Sequence, residues 1–347
     1  LEPFLSRASD SLGNLKDLNL GPVLVTGANG FVGARLCIDL SARSVEVVGL
    51  ESGSGPSWRL DGKNIRKLQV NLLDHEKLAA LVRDLQPSVI VNCAAYGAYS
   101  SQTKTDHIYG VNFNAVRHLL EIAEQLPDLR AFIQMGSSSE YGWNCAGPAE
   151  NAQTIPDSHY AVSKVSASSI VQYAGKNREI PAWGIRLYSV YGPLEDFSRL
   201  MPKMLLAARE KSLPPLVNAK TSRDFVYVDD VCEAVVRVIE RAHLLERGEI
   251  FNIGTGTKTS MSDLVELTRR LFKIDQEPAW GSMAARRWDH SDWYSNPKKA
   301  ETYLGWQAKI TLEQGLRKTM DWIINNPSLL DTWQRFSVVN LPGDKNK

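Results

Sequence analysis

Four cysteines are all that the 347 residues contain, and Cys37, Cys93, Cys145 and Cys232 stand too far apart for the short spacings of a metal site. They read as small buried hydrophobes of a reducing, cytoplasmic compartment. No run approaches the ~18 consecutive apolar residues of a membrane span. The stretch 1–20 carries Glu2, Arg7, Asp10, Lys16 and Asp17 where a signal peptide needs an unbroken apolar segment, so it reads as a polar arm or short helix. Charge of one sign is also scarce: 40 Lys plus Arg against 39 Asp plus Glu leave a net +1. No basic block is present, which argues against nucleic acid as a partner. His75, His107, His118, His159, His243 and His290 share no ligand spacing. No metal is expected, and only His159, beside Tyr160, is placed to touch a ligand.

Apolar residues make up 43% and charged residues 23%, ordinary values for a globular chain with a sizeable core. The most informative segment is Val23-Leu-Val-Thr-Gly-Ala-Asn-Gly-Phe-Val-Gly33, an apolar strand running through three glycines into a helix. Gly27 and Gly30 permit a sharp turn and close approach of a pyrophosphate, and Gly33 lets the helix lie tightly on the strand. The backbone of Asn29, Phe31 and Val32 would offer N–H groups at the helix N-terminus. The Gly-x-x-Gly-x-x-Gly spacing departs from the usual Gly-x-Gly-x-x-Gly, so its neighbours must decide.

Those neighbours alternate strand-like and helix-like runs. Strands are predicted at Val23–Thr26, Val45–Leu50, Leu68–Asn71, Val89–Asn92, Ala131–Gly136 and Ala182–Leu187, with helices over 31–41, 74–85, 106–126 and 158–175. This predicts an α/β fold, a doubly wound parallel sheet of the Rossmann type with a smaller C-terminal lobe. The predicted division is an arm at 1–20, a dinucleotide-binding domain at 21–192, and a mainly substrate-binding lobe at 193–347 whose later strand Ile250–Ile253 can return to the first sheet. Gly254-Thr-Gly256 also follows a strand but lacks a third glycine, and reads as a loop between lobes. Trp280, Trp288, Trp293 and Trp306 are expected to pack together in the lobe.

Tyr160 and Lys164 lie one turn apart on a predicted helix, where an ammonium can favour a phenolate. The same spacing at Tyr294 and Lys298 spans Pro297 and is a decoy. Upstream of the first pair, Met135-Gly-Ser-Ser-Ser-Glu-Tyr-Gly142 ends the fifth strand and can bring hydroxyls to the same pocket. With Arg186-Leu-Tyr-Ser-Val-Tyr-Gly-Pro193, Arg223-Asp-Phe-Val-Tyr-Val-Asp-Asp230 and Phe251-Asn-Ile-Gly-Thr-Gly256, the chain resembles, over about residues 22–325, the extended short-chain dehydrogenase/reductases that modify nucleotide sugars.

The resemblance implies that Tyr160 is the acid/base and that Lys164 holds the nicotinamide ribose. A serine completes the set. Counting from Glu140 selects Ser138, which is favoured, and counting from Tyr141-Gly142 selects Ser137. Glu140 is implied as a C5 base if the reaction is a dehydration, although Ser139 stands where the related dehydratases carry Asp, and a structural hydrogen bond is the alternative. Glu51, ending the second strand, favours NAD over NADP, while Ser52, Ser54 and Arg59 leave NADP open. Asn71 and Leu72 would flank the adenine, and Ala94 and Ala95 the nicotinamide ribose. Ser137, Ser138, Ser139 and Ser189 would face the sugar, with Ser189 in place of the family's asparagine. Arg223, with Arg286 or Arg287, would bind the diphosphate, despite Trp288 replacing a family glycine, and Lys203 is a weaker choice.

The implied activity is NAD-dependent epimerisation or dehydration of a nucleoside-diphosphate sugar through transient oxidation at C4. The alternatives are a 4-keto-sugar reductase and, of another class, a non-catalytic dinucleotide sensor. Helices near 106–126 and 158–175 would form the interface of a homodimer.

Overall fold

The computed structural model describes residues 15–53, 58–99, 101–283 and 290–328. Its centre is a seven-stranded, wholly parallel sheet. The strands in chain order are β1 (Val23–Thr26), β2 (Val47–Glu51), β3 (Arg66–Gln69), β4 (Val89–Asn92), β5 (Ala131–Ser137), β6 (Ala182–Leu187) and, after the short β7 (Ser189–Tyr191), β8 (Ser222–Arg223) and β9 (Phe225–Tyr227) outside this sheet, β10 (Ile250–Ile253). Across the sheet they run β3-β2-β1-β4-β5-β6-β10. Strands β1, β4 and β10 are buried at every residue, so both faces must be covered, which is why they read as unbroken apolar runs and not as alternations. One face carries α1 (Phe31–Ala42) and the late helix α7 (Val228–Arg241), which share a core with Val23, Val25 and Val91. The other carries α2 (His75–Leu85), α4 (Ala115–Ala123) and α5 (His159–Asn177), around Leu24, Ile90 and Phe132.

The chain order reverses between β1 and β4, and a crevice opens there beyond the carboxyl ends of the strands. The loops that edge it follow Thr26 and Asn92.

Three sequence expectations shift. Strand β3 begins two residues earlier than predicted because it is an edge strand whose exposed Arg66 and Lys67 carry little apolar signal. The helix predicted over 106–126 is three pieces: α3 (Thr105–Tyr109), a π turn at Gly110–Asn114, then α4. Asn112, in the π turn, accepts from Tyr96 N at 2.8 Å and donates to Tyr96 O at 2.7 Å and to Ser163 Oγ at 2.9 Å, clamping the loop after β4 onto α5. The lobe expected from 193 onward also gives α7 and β10 to the main sheet, with Ile250 beside Gly184. Its own core gathers α6 (Leu200–Arg209), α8 (Met261–Phe272) and α9 (Leu312–Asn325) around Met204, Leu264 and Leu316.

The three tryptophans among the described residues do not cluster. Trp306 is buried against the main sheet's helices and donates to Asp230 O at 2.8 Å, Trp280 is exposed, Trp293 is buried with Tyr141 and Tyr188, and Trp288 lies outside the described residues. Of the arm, only Leu15–Leu18 falls within the described residues, as one 3-10 turn with Leu15 buried.

Candidate active site

The glycine turn is as tight as its residues allow. Gly27 has φ +62°, and a Cβ there would stand 2.7 Å from the Ala94 backbone. A Cβ on Gly33 would stand 2.4 Å from the Gly27 carbonyl oxygen. Two backbones that close leave no room for a side chain, so the first turn of α1 faces the crevice bare. Gly30 caps that helix without a side-chain hydrogen bond, and no acidic residue occupies the first turn. The N–H groups of Phe31, Val32 and Gly33 are thereby available to an anion, as a pyrophosphate requires. Gly33→Ala should destabilise the fold by about 1–3 kcal/mol through backbone displacement, read as a lowered melting temperature, and should weaken dinucleotide binding further.

Other cofactor expectations fall around the same turn. Glu51 sits one position past the Thr26–Leu50 pairing, abreast of Gly27. Arg59 is taken up internally, donating to Leu194 O at 2.8 Å and Asn29 O at 3.0 Å, and burial lowers its pKa. It braces the glycine turn against the second lobe. Asn71 and Leu72 follow β3, and the Asn71 side chain accepts from Leu73 N at 3.0 Å. Ala94 is buried under Gly27, and Ala95 is exposed at the crevice.

On α5, Ser158 caps the helix by accepting from Ala161 N, which sets Tyr160 in the first turn and Lys164 one turn later. The Lys164 ammonium is buried and donates to Met135 O at 2.7 Å. Burial pushes its pKa down to about 8, against the opposing pull of Glu140. The Tyr160 pKa is raised, chiefly by burial, while Ser137 and Arg199 act to lower it.

Among the serines, Ser137 is the one whose hydroxyl acts to lower the Tyr160 pKa. Ser138, favoured from the sequence, instead accepts from the Trp293 indole N–H at 3.1 Å and is buried. Ser139 donates its backbone N–H to Ser137 Oγ at 3.2 Å. The reason is a short 3-10 turn at Ser138–Tyr141, capped by Ser137, which rotates Ser138 away from α5.

Glu140, implied as a base, is completely buried and held by three donors. It accepts from Ser137 N at 2.9 Å, Ser168 Oγ at 2.7 Å and Arg186 Nε at 2.7 Å. Arg186 also donates to Tyr141 Oη at 2.8 Å and Glu150 O at 2.9 Å, and Tyr141 donates to Asn252 Oδ1 at 2.8 Å. The serine, Arg186 and Asn252 motifs thus meet in one buried polar network beneath the site. Asp224 does the same for the next motif, accepting from Thr255 N, Gly256 N and Ser295 N at 2.8–3.0 Å. This assigns Gly254-Thr-Gly256 to a loop held on that carboxylate.

On the substrate side, Arg223 lies with its guanidinium 4.9 Å from the Trp293 ring centre and donates to Ser222 O at 2.7 Å. Ser189 is held by its backbone N–H to Asp224 O at 2.9 Å and is partly exposed. Arg286 and Arg287 lie outside the described residues, and Lys203 is exposed on α6. His290 is packed between Trp143 and Trp293 with Asp157 at 3.7 Å. His159 contacts the Tyr109 hydroxyl at 3.1 Å.

The model of the NAD dependent epimerase/dehydratase family matches residues 23–254, more than half of the chain. The chain belongs to that family. Across this span lie the glycine turn, Tyr160 with Lys164, and the buried motif network. A trifunctional UDP-glucose 4,6-dehydratase/UDP-4-keto-6-deoxy-D-glucose 3,5-epimerase/UDP-4-keto-L-rhamnose-reductase of Arabidopsis thaliana is 29% identical over 256 residues, 70% of this chain. The chain spans only 37% of that protein's length. The UDP-glucose 4-epimerase of Mycolicibacterium smegmatis is 29% identical over 321 residues, covering 87% of this chain and 98% of the relative. Among solved structures, the UDP-glucuronic acid 4-epimerase of Bacillus cereus, in complex with UDP-glucuronic acid and NAD, superposes with a TM-score of 0.78 at 25% identity, over 88% of this chain and 99% of that one. An epimerase of Methanothermobacter thermautotrophicus reaches a TM-score of 0.82 at 23% identity, over 92% and 97% of the two chains, a likeness of fold.

Two residues at this family site escaped the sequence reading, Trp293 and Arg199. Trp293 carries no local signal, since what matters is its indole reaching Ser138 across 155 residues. Arg199 had one: a cation at the start of a helix opposes the helix dipole, so something other than helix stability holds it there.

Proposed function

We propose that the chain is an NAD-dependent 4-epimerase of a nucleoside-diphosphate sugar. The observation that carries this is the gathering of Ser137, Tyr160 and Lys164 beside the bare glycine turn, with no carboxylate at 137–139 and Glu140 consumed inside. NAD fits the turn because Gly27 and Gly33 let the backbones close together, leaving the N–H groups of the first turn of α1 bare. Gly27, Asn29, Gly30, Phe31, Val32 and Gly33 would hold its pyrophosphate, Glu51 a ribose, and Lys164 the second ribose. Arg59, bound to two carbonyls, is not poised for the extra phosphate of NADP. When bound, NAD supplies a reversible two-electron acceptor for the sugar C4.

Tyr160 takes the proton of the C4 hydroxyl as C4 is oxidised and returns it when the carbonyl is reduced from the other face. Ser137 supports the oxygen in both directions. Burial disfavours the phenolate, so Ser137 and neighbouring cations have to restore it. Lys164 is fixed by Met135 O, which leaves its other protons for a ribose. Arg223 supplies positive charge for the diphosphate, and the UDP-sugar names of the relatives support a pyrimidine nucleotide. Dehydration would need a base at C5, and Glu140 is completely buried and engaged in three internal hydrogen bonds, one of them from the Arg186 guanidinium.

A homodimer and a cytoplasmic setting belong to the same proposal. The first is supported by Val162 and Tyr173, exposed on α5, and the second by four cysteines that are all free thiols.

Incubating the protein with NAD and, in turn, UDP-glucose, UDP-galactose and UDP-glucuronate, followed by chromatography and mass analysis, tests the reading. An epimer appears at unchanged mass with altered retention and no net reduction of NAD. Loss of one water would make the protein a dehydratase. Stoichiometric NAD(P)H consumption with a 4-keto sugar would make it a reductase, and NAD binding without any turnover would make it a sensor.

A further inference from the structure

Beside the loop packed on Tyr160 lies a second cation that the sequence motifs do not contain. Arg199 caps α6, an element of the second lobe, and reaches back to the loop after β4. Its Nη2 donates to Ala98 O at 2.9 Å, and its guanidinium carbon lies 4.2 Å from the centre of the Tyr99 ring. That loop is packed on Tyr160 itself, for a Cβ on Gly97 would stand 3.4 Å from Tyr160 Cδ2. Arg199 is therefore held against the wall of the catalytic phenol by a carbonyl and an aromatic face. Neither partner neutralises its charge, and among the described residues no carboxylate forms a salt bridge with it.

We propose that Arg199 is a positioning residue that tunes the acid/base chemistry of Tyr160, so that the second lobe sets the reactivity of a residue carried by the first. Of the charges around Tyr160, Arg199 acts most strongly to lower its pKa, while Glu140 and Tyr99 raise it. Lys164, with its ammonium 5.9 Å from the Tyr160 ring centre, faces Met135 O.

The acids near Arg199 are arranged to leave its charge intact at neutral pH. Glu195, one turn earlier in sequence, has its carboxyl buried with Oε2 lacking any hydrogen-bond partner, and burial pushes its pKa up to about 8 despite the pull of Arg199. Below that pH it is a neutral acid and takes nothing from the arginine. Asp196 is turned to Ser198, accepting from its N at 2.8 Å and its Oγ at 2.6 Å. Arg59, the other cation beside Tyr99, is directed to the Leu194 and Asn29 carbonyls.

The inference rests on Tyr160 being the acid/base of the proposed reaction, and it is tested on the phenol directly, so that a wrong substrate does not decide it. Ultraviolet titration of the NAD-bound protein, with the Tyr160→Phe trace subtracted, isolates this one tyrosine. Arg199→Met should raise its titration by at least about half a pH unit, and Arg199→Lys, which keeps a charge, should fall between Met and the parent. Glu195→Gln, which stays neutral above pH 8, should shift the phenol the opposite way, downward. Where turnover is found, the ascending limb of kcat/KM against pH should move with the titration. A Tyr160 titration unchanged in Arg199→Met, with the Lys variant confirming that the fold is kept, overturns the proposal. So does a rise in KM for the nucleotide sugar with the limb unmoved, which would make Arg199 a substrate ligand alone.

Discussion

Tyr160→Phe should lower turnover of the accepted nucleotide sugar by about 10²–10⁴-fold, the range that a positioned acid/base contributes. The substitution removes one oxygen and leaves the ring, whose packing against the Gly97 loop is carbon to carbon. NAD affinity should therefore change little, because the glycine turn and the Lys164–Met135 contact are untouched. Product formation and NAD binding, measured on the same preparation, separate the two effects. Turnover within tenfold of the parent would remove Tyr160 from the mechanism. Tyr294→Phe is the matched control: Tyr294 shares the Tyr-x-x-x-Lys spacing but sits in a loop bound to Cys145, and its loss should not slow the reaction.

Glu140→Gln should act on the fold before it acts on chemistry. Glu140 and Arg186 form a buried ion pair, with side-chain exposures of 0% and 6%. Removing one member of such a pair strands the other charge, and the expected loss is about 3–5 kcal/mol. Urea denaturation should show a markedly lower midpoint with an unchanged slope. The double variant Glu140→Leu/Arg186→Met should recover a large part of the loss, because a buried pair exchanged for apolar residues no longer contains an orphaned charge. A Glu140→Gln protein of parental stability would mean that the carboxylate is not the structural hub described here. It would return Glu140 to consideration as a base.

That outcome bears on how far the chain could be understood before folding. In the serine segment Ser137, Ser138 and Glu140 all read as catalytic candidates, and spacing does not distinguish them. Glu140, Arg186, Asp224 and Asn252 have the chemistry of an active site, yet they satisfy one another and the backbone inside the protein. Only the directions of their side chains, set by the turn at Ser138–Tyr141 and by the packing of β5 on β6, distinguish support from catalysis.

The local sequence determined the parts whose physics is local. The glycine turn follows from missing Cβ atoms, the parallel sheet from apolar runs of strand length, and the Tyr160/Lys164 pair from the helical repeat and its Ser158 cap. Those features need no knowledge of distant residues. The tertiary structure alone decided that Ser137 acts on Tyr160, that Trp293 donates to Ser138, that α7 packs on the main sheet, and that Arg199 reaches the loop packed on Tyr160. Each of these joins residues far apart in the chain. Their energies come from burial and hydrogen bonding that exist only after the chain has closed on itself, so no spacing along it could have announced them.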